Sequence, residues 1–203
     1  WFRRSFSLPA SEKGKNVTLI LHGINHRANI WLNGVQIADS NHVIGPFRVF
    51  EFDISGQIKY NGPNTLAIEV KRPFNPNRRG GDLAIDYADW IHYPADYNGG
   101  IVNDVEIGTC DKIAVRHPLV TTRFDLPSLA IAHLQVDAEL INYSDKPESA
   151  VISGKINDNI SFRKAVDLQP HETKDLSFTA ADFPQLNIKD PRIWWPWQYG
   201  KPL

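Results

Sequence analysis

Apolar residues alternate with polar ones along most of this chain, and this two-residue period constrains the fold more than any other feature. The clearest run is Leu134, Val136, Ala138 and Leu140, with a polar side chain between each pair. Successive side chains of a strand point to opposite faces, so this spacing predicts half-buried strands. No segment sustains the i, i+3, i+4 spacing of an amphipathic helix, so we expect few helices. The predicted fold class is all-β.

Turn residues separate the predicted strands. Asn33-Gly34 stands between the apolar runs Ala28–Leu32 and Val35–Ile37, and Asn-Gly in this position predicts a hairpin because both residues accept positive φ. Strands then recur with turn signals about every 8–12 residues, which is typical of β-sandwiches. We expect one sandwich in residues 1–112 and a second, immunoglobulin-like sandwich in residues 113–203.

Composition excludes several kinds of partner and site. The 22 Lys and Arg against 23 Asp and Glu leave a net charge of −1, so no basic face favours nucleic acid. No apolar run approaches the roughly 20 residues that cross a bilayer, so we expect no membrane partner. Seven scattered histidines lack metal-ligand spacing, and we predict neither a metal nor another cofactor. The single cysteine, Cys110, is expected to be a buried or half-buried residue and not a nucleophile, because Asp111 beside it would raise a thiol pKa.

One long irregular stretch interrupts the strands. Residues 82–105 carry five aspartates and several aromatic side chains. Loops of this length in a compact domain are usually functional or disordered, and the aromatic content argues against disorder. We therefore expect this loop to hold the functional residues.

Four stretches, in order along the chain, resemble the motifs of the two N-terminal β domains of glycoside hydrolase family 2. They are Trp1–Phe6, Gly23–Gly34, Asp89–Val105 and Trp194–Gly200. Within the family, the third stretch looks most like the exo-β-glucosaminidase and β-mannosidase branch. Asn103 stands where the family pattern has arginine, and Trp197 stands where it has glycine.

The resemblance implies a jelly-roll (galactose-binding-like) sugar-binding domain in residues 1–112, then the immunoglobulin-like domain, then a (β/α)₈ barrel. In the family the barrel carries two glutamates that hydrolyse β-glycosides with retention of configuration. We expect this chain to be the non-catalytic N-terminal part of such an enzyme and to be inactive alone. Its partners would be a β-linked carbohydrate and its own C-terminal barrel, and a polysaccharide-degrading role favours a periplasmic or secreted location.

The loop holds three substrate-binding candidates, and one of them, Asp89, is singled out by the same resemblance. The resemblance implies that Asp89 lies on a loop that reaches the barrel entrance and accepts hydrogen bonds from sugar hydroxyls, a task that suits a carboxylate. The alternative is a turn aspartate that holds the loop. Trp90 offers a flat wall for a sugar ring, or anchors the loop to the core. Asn98 shapes the return of the loop with Gly99 and Gly100, or contacts substrate. We expect no catalytic residue here, since the loop aspartates lack an apolar pocket that would raise a pKa.

The remaining tryptophans and three short motifs have open interpretations. The cluster Trp194, Trp195 and Trp197 fits either carbohydrate stacking or a buried seam with a following domain, while Trp1 and Trp31 are expected in the core. Three triplets match the N-glycosylation acceptor pattern: Asn16-Val17-Thr18, Asn142-Tyr143-Ser144 and Asn159-Ile160-Ser161.

Two other functions remain open from the residues. The first sandwich alone could be a stand-alone carbohydrate-binding module, as jelly-roll lectin domains are. The whole chain could instead be a structural, adhesive pair of sandwiches. The sequence beyond Leu203 would distinguish these hypotheses, because the enzyme requires a barrel there and the adhesive protein does not.

Overall fold

The structure is a computed structural model that describes residues 1–72 and 98–200. It divides into two compact units, Trp1–Asp111 and Lys112–Leu203. The described residues form strands joined by turns and three short 3₁₀ helices at Ala10–Glu12, Ser55–Gln57 and Pro184–Leu186. The all-β prediction is confirmed.

The first unit contains nine of the described strands. These are β1 (Phe2–Ser7), β2 (Asn16–Leu21), β3 (Ile24–Leu32), β4 (Val35–Ala38), β5 (Ile44–Gly45), β6 (Phe50–Asp53), β7 (Pro63–Lys71), β8 (Gly100–Ile101) and β9 (Val105–Cys110). One sheet has the order β1-β7-β3-β4, with β5 and β8 also paired to β3, and the other has the order β6-β2-β9. The pairings between these described strands are antiparallel.

Alternation along the central strands builds the core of this unit. On β3, Ala28, Ile30 and Leu32 are fully buried, while the residues between them are partly exposed. Buried residues from β2 and β7 complete the cluster, notably Leu19 at 0% exposure and Ile68 at 2%. The two-residue period read from the sequence thus places one face of each sheet against the other.

The predicted Asn33-Gly34 hairpin is confirmed. Both residues have positive φ, 53° and 86°, and they join β3 to β4. The Asn33 side chain also donates to the fully buried Asn64, with an Nδ2–Oδ1 distance of 2.8 Å. Asn64 in turn holds the backbone of Lys59, accepting from its N–H and donating to its carbonyl at 2.8 Å each. Two turns distant in sequence are therefore joined through one buried amide.

The second unit contains the other six strands. These are β10 (Ile113–Phe124), β11 (Ile131–Asn142), β12 (Glu148–Ile156), β13 (Ile160–Leu168), β14 (Thr173–Thr179) and β15 (Asn187–Lys189). The sheet β10-β11-β14 also takes β15 beside β11, and β12 pairs only with β13 among the described strands. The register of β10 on β11 shifts between Arg116 and Leu119, where His117 has φ 49°.

Three phenylalanines join the layers of the second unit. Phe162 of β13 lies 4.7 Å from Phe178 of β14, between ring centroids, and Phe183 completes the group. Gly154 on β12 leaves room for this arrangement, because a Cβ there would lie 2.2 Å from the Phe162 ring. The glycine is needed for close packing and not for backbone conformation.

Candidate functional site

Of the three predicted binding residues, Asp89 and Trp90 lie outside the described residues. Asn98 is described, and it is exposed with φ 56°. Asparagine is one of the few residues that tolerate this left-handed conformation. Its position at the return of the chain to β8 agrees with the loop-shaping role, while a contact with substrate stays a prediction.

Asn25 holds the backbone at this return. Its side chain is fully buried, and its Nδ2 donates to the carbonyl oxygen of Asn98 at 2.9 Å. A buried amide placed in this way satisfies a backbone acceptor at a point where the chain leaves regular pairing. Sequence reasoning missed Asn25, although a polar residue beside the apolar Ile24 at the start of a buried strand was a usable signal.

A second set of bonds fixes the residues that follow. The N–H of Val102 donates to the Gly23 carbonyl at 3.1 Å, and Asn103 Nδ2 donates to the His22 carbonyl at 3.0 Å. The N–H of His22 donates to the Asp104 carbonyl at 3.1 Å. Asn103, which replaces the arginine of the family pattern, therefore has a bond to the β2–β3 connection.

Gly23 is required by the same packing. Its φ is +146°, and a Cβ there would lie 2.5 Å from the Pro46 carbonyl oxygen and 3.3 Å from Val102 Cβ. Any side chain would displace either the segment before β6 or the returning chain. This explains physically why Gly23–Gly34, the second of the four family-like stretches, begins with a glycine.

The chain leaves β7 and returns at β8 along one edge of β3. On β3, Arg27 pairs with Lys71 of β7, and Ile24 pairs with Ile101 of β8. Because β5 pairs with β3 at both Ile24 and Arg27, β7 and β8 share the opposite edge. The last described residues before position 73 and the first after position 97 are thus anchored to neighbouring positions of one strand.

A polar network lies on the partly exposed face of β3, near the same end of the sheet. Asn29 Nδ2 donates to Glu69 Oε2 at 2.6 Å, and Asn29 Oδ1 accepts from the N–H of Ser40 at 2.7 Å. Lys71 Nζ donates to Ser40 Oγ at 2.9 Å. These groups link β3, β7 and the turn after β4, and the sequence alone did not reveal them because the partners are more than ten residues apart.

Four carboxyl groups of the described residues have a pKa shifted away from that of a general acid. The pKa of Glu12, Asp39, Asp137 and Glu148 is lowered in each case, chiefly by hydrogen bonds from Thr109, His42, Ser177 and Lys112, respectively. A glycosidase acid needs a pKa shifted in the opposite direction. These four carboxyl groups therefore lack the property that the chemistry requires.

Cys110 is half-buried, which agrees with the prediction of a buried or half-buried side chain. Burial is the main cause that raises the pKa of its thiol, and the charges of Asp111 and Asp53 raise it further. The thiolate that would act as a nucleophile is disfavoured. The prediction that Cys110 is unreactive in this sense is supported by both causes.

Among residues 1–72 and 98–200, no three His, Cys, Asp or Glu side chains form a group that could hold a metal ion. Within the same residues, no helix is long and apolar enough to cross a membrane.

An apolar cavity in the first unit opens between β1, β7, β8 and β9. Its volume is about 440 Å³, and Phe2, Phe6, Ile101 and Ile107 contribute to its lining. Sugar sites need several placed polar groups besides an apolar wall. Among the described residues, Arg3 and Arg4 are the polar members of this lining, and the others are aliphatic or aromatic, which differs from that description.

The exposed tryptophans correct one expectation. Trp1 stacks on Trp31 with ring centroids 5.2 Å apart, but its exposure is 75%, so the assignment of Trp1 to the core was wrong. In the second unit, Trp194, Trp195 and Trp197 are 63%, 38% and 77% exposed. Both interpretations of that cluster stay predictions.

Comparison with known proteins gives consistent matches. Residues 1–94 match the family described as "Glycosyl hydrolase 2 galactose-binding domain-like". The whole chain is 38% identical to a protein named exo-beta-D-glucosaminidase from Streptomyces avermitilis, and residues across 98% of it are 31% identical to one of that name from Hypocrea jecorina. The chain spans 22% and 21% of the lengths of these relatives.

A solved structure agrees with the sequence matches. The exo-chitosanase CsxA from Amycolatopsis orientalis superposes with a TM-score of 0.84 and 27% identity, over 97% of this chain and 22% of that one. The first unit is thus galactose-binding-like. The resemblance of this chain to the N-terminal domains of glycoside hydrolase family 2, on the exo-β-D-glucosaminidase side of that family, is confirmed.

Proposed function

We propose that this chain is the non-catalytic N-terminal part of a retaining family 2 β-glycosidase of the exo-β-glucosaminidase or β-mannosidase type. The carrying observation is that the chain is similar over its whole length to exo-beta-D-glucosaminidases while spanning 22% of one of them. The glycosidic bond would be hydrolysed by two glutamates of a (β/α)₈ barrel located elsewhere in the protein. This chain would shape one wall of the substrate pocket.

In this proposal the first unit supplies the loop that carries Asp89, Trp90 and Asn98. Asp89 would accept hydrogen bonds from hydroxyl groups of the terminal sugar, and Trp90 would present a flat apolar surface. Support comes from the anchoring of both flanking strands at one edge of β3, together with the buried Asn25–Asn98 bond. A binding residue needs this kind of rigid support to act on a substrate held by another domain.

The second unit would be an immunoglobulin-like sandwich that connects the first unit to the barrel. Its antiparallel sheet β10-β11-β14 and its pair β12-β13 share one core, which supports a sandwich. The exposed Trp194, Trp195 and Trp197 would then be covered by the barrel. A periplasmic or secreted location is part of the same proposal, because polymeric β-glycosides are degraded outside the cytoplasm.

Kinetics of the full-length protein test the proposal. Activity would be measured on aryl β-D-glucosaminides, β-mannosides and β-galactosides for the parent and for Asp89→Ala. We expect kcat/KM to fall about 10- to 100-fold, since a hydrogen bond to a charged group contributes roughly 1.5–3 kcal/mol. Asp86→Ala, a matched loop carboxylate three residues away, is the control. An unchanged kcat/KM for Asp89→Ala with unchanged stability would remove Asp89 from the pocket.

A stand-alone carbohydrate-binding function is the second candidate, and the match to a galactose-binding-like family favours testing it. Calorimetry of residues 1–203 with galactose, glucosamine oligomers and manno-oligosaccharides is the measurement. Binding at millimolar concentration or tighter without the barrel would support this function. Heats equal to those of dilution would leave the pocket-wall role as the single proposal.

A further inference from the structure

Three N-glycosylation acceptor triplets occur in the described residues, and their asparagines differ in burial and in hydrogen bonding. The transferred sugar is attached to the asparagine Nδ2, so the modified amide keeps one N–H and carries a bulky hydrophilic group. A folded chain accepts this only where the amide is exposed and its protons are not needed for structure.

Asn142 fails this condition. It is fully buried at the end of β11, and its Nδ2 donates to the carbonyls of Lys146 and Gln169 at 2.8 Å each. Its Oδ1 accepts from the N–H of Ser144 at 2.9 Å. Both amide protons are used inside the unit, and a glycan on this nitrogen would break at least one bond and fill the turn.

Asn16 fails for a related reason. It is 8% exposed at the start of β2, the middle strand of its sheet. Thr18, the hydroxyl residue of the same triplet, donates from Oγ1 to Asn16 Oδ1 at 3.0 Å and is itself buried. Two residues of the triplet are thus hydrogen-bonded to each other within the sheet. A sugar on Asn16 Nδ2 would also separate this nitrogen from Ser55 Oγ, which lies 3.5 Å away.

Asn159 meets the condition. It lies in the turn at residues 157–159 that joins β12 to β13, and both Asn159 and Ser161 are exposed. Asn157 takes the positive φ of the turn at 52°, and Lys155 holds Asp158 through an Nζ–Oδ1 contact of 3.1 Å. The turn is therefore held by Lys155, Asn157 and Asp158. Among the described residues, no hydrogen bond of the Asn159 side chain contributes to it.

We propose that Asn159 is the N-glycosylation site of this protein, with a lipid-linked oligosaccharide diphosphate as donor. In the transfer, Asn159 Nδ2 forms a bond to the anomeric carbon while the bond from that carbon to the diphosphate oxygen breaks. The amide loses one proton, and the lipid diphosphate leaves. No oxidation or reduction is involved.

The position gives the glycan a physical effect on the second unit. The β12–β13 pair has an open edge on each side among the described strands, and Val151 on β12 is 64% exposed. Open edges invite pairing with another chain. A hydrated glycan at the end of this hairpin hinders such pairing without touching the core.

Expression through a eukaryotic secretory pathway tests the site. The full-length protein would be secreted behind a cleavable signal sequence and analysed by intact mass and peptide mapping, before and after peptide-N-glycosidase treatment. We expect a glycan on the peptide containing Asn159, and loss of that glycan in both Asn159→Gln and Ser161→Ala. Ser161→Ala keeps the asparagine and removes an exposed hydroxyl group, so it separates loss of the acceptor from loss of the fold.

Two matched variants complete the design. Ser144→Ala and Thr18→Val disable the other triplets, and we expect neither to change the glycan mass of the folded product. The proposal is overturned if folded, secreted protein carries no glycan at Asn159. It is equally overturned if the folded protein carries one at Asn16 or Asn142, because burial would then not decide the site.

Discussion

Asn25 Nδ2 donates to the carbonyl oxygen of Asn98 at 2.9 Å, across 73 positions of sequence. The donor is fully buried and the acceptor belongs to an exposed residue with φ 56°. This bond fastens the chain at its return to the sheet, directly before β8. It links the core of the first unit to the end of the proposed binding loop.

We expect Asn25→Ala to lower the free energy of unfolding by about 1–3 kcal/mol, because it deletes a buried donor and leaves space in the core. Urea denaturation followed by intrinsic fluorescence measures the change. Asn41→Ala is the control, since Asn41 is exposed in a turn, and its effect should stay within about 0.5 kcal/mol. Equal effects of the two substitutions would mean that the buried amide contributes nothing specific.

The Asn33–Asn64 bond predicts an energetic coupling between two turns. Asn33→Gly removes the side chain while allowing the φ of 53°, and Asn64→Ala removes its buried partner. A double-mutant cycle should give a coupling free energy of about 0.5–3 kcal/mol, as for other residues in one hydrogen-bond network. Additive effects in denaturant unfolding would contradict the link between the turns.

Gly154 predicts a steric effect in the second unit. Gly154→Ala places a Cβ 2.2 Å from the Phe162 ring, so the ring must move out of its aromatic group. Overpacking of this kind costs about 1–3 kcal/mol. Gly56→Ala is the control because a Cβ there meets nothing within 4 Å. Adding Phe162→Leu to Gly154→Ala should recover part of the loss, and no recovery would show that the ring is not the obstacle.

The Ser177–Asp137 bond predicts a pH dependence. The Ser177 hydroxyl is the main cause that lowers the pKa of Asp137, with Gln135 adding to it. A carboxyl group with a folded-state pKa below its unfolded value stabilises the fold above about pH 4 and loses that contribution as the pH falls through the folded-state pKa.

Ser177→Ala should therefore be less stable than the parent at pH 7, and the difference should shrink below pH 4. Urea midpoints at pH 7, 4 and 3 measure it, with Ser153→Ala on exposed β12 as the control. A stability difference that is constant across this pH range would mean that the stabilising effect of the Ser177 hydroxyl does not depend on the charge of Asp137.

Local features were well predicted. The two-residue alternation of β3 and β11 and the Asn33-Gly34 hairpin depend on neighbours in sequence, because side-chain direction and φ are properties of a few adjacent residues. The four ordered motifs indicated the family for the same reason, because each motif consists of residues that are close together in the sequence. The exposure of Trp1 was not predicted, because Trp1 precedes β1 and its burial depends on tertiary contacts that the alternation along the strand does not specify.

The features of the candidate site can also be divided into those set by the sequence alone and those set by the tertiary structure. The sequence by itself determined an all-β chain, the position of its main hairpin and a resemblance to family 2 that singles out Asp89, with Trp90 and Asn98 as further candidates in the same loop. Only the tertiary structure decided that Asn25 supports Asn98, that Asn29 meets Glu69, and that Asn159 is exposed while Asn142 is buried. The contacts of Asn25, Asn29 and Asn142 join residues 27–73 positions apart, and alternation along one strand carries no information about which distant residues will lie beside it.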